Sequence, residues 1–162
     1  MRCRGRPGRT PPTGSYRADR GECLPIARLA FTDTPRPATA RAVRAFSGPG
    51  KLNSIVGQMW VTVHQEGDAR SALDDVRKAL TECTGGFKVP GAPMVYSDLE
   101  PVRAPDLGDE SVGFRFTTGL ISVNTPATYA VVRTGHILTT MMVITDTLPQ
   151  PLLKAQLAKL PG

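Results

Sequence analysis

Two histidines, two arginines on β-rich segments and three cysteines are the residues whose types could do chemistry in this chain. His64 closes "MWVTVHQ" and His136 opens "HILTTMMVIT". Either imidazole could act as acid or base near neutral pH, given a carboxylate within hydrogen-bonding reach. Arg115 in "VGFRFTTGL" and Arg133 in "ATYAVVRT" could present guanidinium forks to an anion if they share a sheet face. A solvated sheet face accounts for both equally well.

The cysteines narrow the chemistry further. Cys3, Cys23 and Cys83 form no CxxC pair and lie far from the histidines. A zinc site wants about four nitrogen or sulfur ligands, usually with one close pair, so no metal is expected. Cys83 ends a predicted helix, where the dipole disfavours a thiolate, so it is not expected to be a nucleophile. A buried thiol and a disulfide with Cys23 both remain open. Asp106, Asp109 and Glu110 in "APDLGDES" lack the spaced oxygen ligands of a calcium loop and read as a turn around Gly108. There is no GxSxG, Walker A or dinucleotide glycine motif, and no cofactor is expected.

The elements that must position these residues follow from periodicity. Apolar residues Leu24, Ile26 and Leu29 predict a short helix starting near Glu22, interrupted by "DTPRP". Ala42, Val43 and Phe46 predict a second helix over 38–46, and "SGPGK" a turn. Met59, Val61 and Val63 alternate with Trp60, Thr62 and His64 as a strand does, with the histidine on the less buried face. Asp68 is placed to cap the clearest helix. Leu73, Val76, Leu80 and Cys83 line one side of it, and Gly85-Gly86 end it. A strand over 94–99 and three more β-rich runs follow, the last two joined as a tight hairpin at Thr134-Gly135. A final helix is predicted in "QPLLKAQLAKL". Clustered strands without βαβ alternation give an α+β fold: an antiparallel sheet of about five strands with helices on one face.

Composition bounds the function. The 162 residues carry a net charge of +6, of which six Arg and one Asp in residues 1–20 supply most. Residues 1–20 therefore read as a solvated basic arm and 21–162 as one nearly neutral domain. No aromatics interleave with the arm's arginines, so nucleic acid is not the expected partner. No run approaches the ~18 apolar residues of a membrane span. The basic start has no apolar segment behind it, which places the chain as it stands in the cytoplasm. Export, or a lipid anchor at the membrane, would require a leader that is missing here.

In order, "GECLPIARL", "MWVTVHQEGDARSALDDVRKALTEC", "LGDESVGFRF", "YAVVRTGHILTTMMV" and "LLKAQLAKL" resemble the extracellular sensor domain of PknH-type serine/threonine kinases. The same domain occurs in actinobacterial lipoproteins and exported proteins. The resemblance covers about residues 21–160. Its most specific parts are the cysteine ending the helix, the LGD-x-S loop and the VVR-x-G hairpin. It implies an antiparallel sheet flanked by helices, a cleft for an unknown ligand, an extracytoplasmic location and disulfides. By position Cys23 and Cys83 match one such pair. The chain departs from the family in lacking a second cysteine pair and an export leader, and Cys3 has no lipobox around it.

These readings converge on a non-catalytic, extracytoplasmic sensor or ligand-binding domain. Its expected surface is an open sheet face bearing Trp60, His64, Arg115, Tyr129, Arg133 and His136, suited to a small anionic or amphiphilic ligand. The alternative is a small cleft enzyme of secondary metabolism using His64 or His136 for acid–base chemistry. A histidine paired with a carboxylate would favour the enzyme.

Overall fold

A computed structural model of the chain describes residues 17–49 and 54–161, with no account of the side chains of residues 49, 54 and 55. Cys3, and Gly50 and Lys51 of the "SGPGK" turn, lie outside the described residues, while residues 47–49 of that expected turn continue a strand. After a 3-10 turn at Gly21–Cys23 come α1 (Leu24–Ala30), β1 (Ala40–Pro49), β2 (Ser54–Val63), α2 (Asp68–Glu82) and β3 (Phe87–Lys88). Then follow β4 (Val95–Val102), β5 (Glu110–Leu120), β6 (Val123–Thr134), β7 (Ile137–Val143) and α3 (Gln150–Leu157). The fold is α+β, as the sequence predicts. The strands form one antiparallel sheet in the order β1-β2-β7-β6-β5-β4-β3.

Among the described residues the sheet has seven strands rather than about five. One addition is the edge strand β3. The other is β1, which replaces the helix expected over 38–46. Ala and Arg are good helix formers, but intrinsic propensity is a weak force per residue, and ten consecutive cross-strand pairs from Ala40↔Val63 to Pro49↔Ser54 outweigh it.

Helices also cover both faces, not one. Trp60, Phe114, Tyr129, Val131 and Leu138 share the main core with Ile26 and Leu29 of α1 and Leu73 and Val76 of α2. On the other face Met59, Ala130, Val132, Met141 and Val143 pack with Leu153 of α3. Each fully buried Val, Leu, Ile, Phe or Met side chain among them contributes about 1.5–3 kcal/mol. An aromatic row runs across the main core. Phe114 and Tyr129 stack at 4.9 Å, Phe116 lies 5.0 Å from Tyr129, and Tyr96 meets Phe116 edge-on at 5.4 Å.

A disulfide joins Cys23, at the entry to α1, to Cys83, at the exit of α2, with Cα atoms 4.9 Å apart. The apolar stripe that turned Cys83 inward is what brings it to Cys23. Both are fully buried. The end of the supposed arm belongs to the domain. Asp19 exchanges bonds with Lys88 of β3, and Arg20 donates to the carbonyls of Thr84 and Gly86 beside the disulfide.

Candidate functional site

The β6–β7 hairpin turns one residue later than expected. Thr134 pairs with Ile137, so Gly135 and His136 form the turn. The chain leaving β2 passes beside it, and the His64 N–H donates to the His136 carbonyl at 2.9 Å. Gly67, at φ +83°, then reverses the chain into α2. It occupies the cap position expected of Asp68, which is instead the first helical residue. These three passages enclose a cleft of about 710 Å³ lined by His64, Glu66, Gly67, Arg70, Arg133, Gly135 and His136.

His64 is buried at 3% exposure, contrary to its expected place on the less covered face. Its Nδ1 lies 2.9 Å from the Pro37 carbonyl and its Nε2 2.9 Å from the Thr62 hydroxyl. A carbonyl only accepts, so Nδ1 carries the proton and Nε2 accepts from Thr62. Burial lowers the His64 pKa, and the bond to Pro37 opposes it in part. The sign for stability follows. The folded pKa lies below the unfolded value of about 6.5, so the stability held by neutral His64 is complete above that pH. It is lost as pH falls below 6.5 toward the folded pKa, by at most about 1.4 kcal/mol per pH unit. Denaturant titrations between pH 7.5 and 5 should show this loss in the native chain and a shallower slope in His64→Gln.

Arg133 is held by its own neighbourhood, with only 11% of its side chain exposed. Its Nη1 donates to Asp109 Oδ2 at 3.1 Å and to the Gly135 carbonyl at 3.0 Å, and Nη2 lies 3.6 Å from Glu110 Oε1. Asp109 Oδ2 also accepts the Gly135 N–H at 2.7 Å, and the Asp109 N–H donates to the Arg133 carbonyl at 2.8 Å. Gly108, at φ +67°, lets the loop approach this closely; a Cβ there would sit 2.5 Å from the Arg133 carbonyl oxygen. The LGD and VVR-x-G segments are therefore two halves of one clasp that fixes the turn bearing His136. Asp109 and Glu110, once weighed as cation ligands, are ion-pair partners.

Three of the six residues expected on an open sheet face meet at this cleft: His64, Arg133 and His136. The others do not. Trp60 and Tyr129 are 1% and 3% exposed, because α1 and α2 cover the face they occupy, and burial raises the Tyr129 hydroxyl far above its usual pKa. Arg115 pairs across the sheet with Thr128, whereas Arg133 lies an odd number of residues further along β6. The two arginines thus project from opposite faces. Arg115 is ion-paired with Glu100 in a separate depression that Asp98 and Asp146 also line. Sequence reasoning missed Glu66 and Arg70. The chain reversal at "EGD" that directly follows the strand ending in His64 was the available signal for them.

The fold and cleft define an α+β domain whose two faces are covered by helices, with a polar recess at one end of the sheet. No protein-family model matches the chain, and no curated protein matches it. Among the described residues no helix is long and apolar enough to cross a membrane.

Proposed function

We propose that the chain is a non-catalytic, extracytoplasmic ligand-binding domain of the PknH sensor type, with its ligand in the cleft between the β6–β7 turn and the start of α2. The carrying observation is the convergence of His64, Arg133 and His136 with Glu66 and Arg70 around one recess. The buried Cys23–Cys83 disulfide supports an oxidising compartment. Catalysis by His64 is disfavoured because both ring nitrogens are taken, one by a carbonyl and one by a hydroxyl, and among the described residues neither is hydrogen-bonded to a carboxylate.

The lining bears on the ligand. It has no large apolar side chain, which argues against an amphiphile and for a small polar molecule. Arg70 and His136, both exposed, can meet an anionic group, and Glu66 can accept from a donor on the same molecule. A calorimetric screen of anionic and zwitterionic metabolites and cell-wall fragments tests this. Arg70→Ala and His136→Ala should each weaken the best binder about tenfold, the loss of one charge-assisted hydrogen bond. Arg103→Ala, away from the cleft, should leave it unchanged. Arg133→Ala is a poor probe because it also releases Asp109 and the turn. Equal affinity in all three variants would place the site elsewhere, and turnover of a screened compound would favour the enzyme reading.

A further inference from the structure

The two edges of the sheet are finished differently. At the β4 edge, β3 covers only Val95 and Tyr96. The remainder is blunted by a register break between Ser97 and Glu100, by Asp98 at φ +55°, and by Pro101. These are devices that stop a foreign strand from adding to a sheet. The β1 edge has none of them. β1 pairs with β2 through ten residues without a bulge, and no proline interrupts it before Pro49.

Which groups β1 turns outward follows from two bonds on the far side of β2. His64 N–H donates to His136 and Ile144 N–H donates to Val56, so the even-numbered residues of β2 face β7. The odd ones face β1, and with Ala40 opposite Val63 the even residues of β1 point inward. Arg41, Val43, Ala45 and Ser47 therefore direct their N–H and C=O groups out of the sheet. Among the described residues, none of those four N–H groups has a partner. Val43 O is covered by the neighbouring Arg44, whose Nη1 donates to it at 3.0 Å. Residues 42–45 are all exposed.

Charge selects the occupant. Residues 34–65 contain Arg36, Arg41, Arg44 and Lys51 and no acid. Arg36 is ion-paired with Asp75, whereas Arg44 is an exposed cation that, among the described residues, bonds only its own strand. Arg41 and Arg44 project from opposite faces, so a second copy of β1 would bring two guanidinium groups together on each face of the new pair, with no carboxylate in either strand. An extended acidic segment meets no such repulsion. Its carboxylates would also draw Arg44 off Val43 and free that acceptor for the ladder. We infer that β1 is a strand-addition site for an extended, acidic polypeptide segment, which joins the sheet as an eighth strand. This site is independent of the cleft.

The probe is a capped octapeptide alternating glutamate with valine, with a lysine-for-glutamate version as control, titrated into the full chain by amide NMR. The glutamate peptide should shift the amides of Arg41, Val43, Ala45 and Ser47 and bind at least tenfold more tightly than the lysine peptide. Ala45→Pro removes an outward N–H while leaving the bonds to β2 in place, so it should retain the melting temperature and lose binding at least tenfold. Should that variant unfold, Arg44→Glu serves instead and should reverse the preference toward the lysine peptide. No binding at millimolar peptide would overturn the inference. So would binding that survives both substitutions, or a dimer that Ala45→Pro dissolves, which would give the edge to a second copy.

Discussion

Replacing both Cys23 and Cys83 by alanine should lower the unfolding free energy by roughly 4 kcal/mol. The bridge closes a loop of 60 residues in sequence separation, and its main effect is to restrict the unfolded chain. For a domain of this size that loss corresponds to a fall of about 8–16 °C in melting temperature. Thermal and urea unfolding of the native chain under strong reductant should approach the double variant. Unchanged stability in both would mean that the bridge does not form in solution, and the extracytoplasmic reading would lose its main support. A drop much larger than this would point to the packing of α1 against α2, which the two sulfur atoms help to fill.

The second large effect is expected at Gly108. Gly108→Ala should cost about 2–3 kcal/mol, because it places a side chain at positive φ and drives its Cβ against the Arg133 carbonyl and Val132. Gly91 offers a comparison: it has φ +83°, yet nothing lies within 4 Å of a Cβ built there. Gly91→Ala should cost only about 1 kcal/mol, the strain without the collision. The difference measures the contact between the two halves of the clasp. Equal costs would show that the 107–109 loop yields, and that the clasp does not fix the turn carrying His136.

How much of this was legible depends on the range of the forces involved. α2 could be read because its apolar stripe, Leu73, Val76 and Leu80, repeats locally. The β6–β7 hairpin could be read because a glycine sits between two β-rich runs. β1 could not, because Ala42, Val43 and Phe46 also fit a helical face, and the choice is made by β2, which pairs with it. The site was half legible. His64 and His136 were found by type and Arg133 by its strand. Their convergence depends on β2 lying beside β7, a pairing between segments more than seventy residues apart. Trp60 and Tyr129 were misplaced for a related reason. Alternation shows that a strand has two faces, but not which one α1 and α2 cover.

The strand order also bears on how the polypeptide is made. β7 lies between β6 and β2, and among the described residues it is the only strand that touches both the β1–β2 pair and the β3–β6 group. Until residues 137–143 have left the ribosome or a translocation pore, the chain carries two incomplete half-sheets with β2 and β6 exposed as raw margins. The contacts that unite them span about half of the sequence, which places folding in the slow range of milliseconds to seconds. Both cysteines emerge well before that final strand. Biosynthesis thus leaves an interval in which the thiols can react while the margins are still open to aggregation, and a holding chaperone would be most useful during that interval.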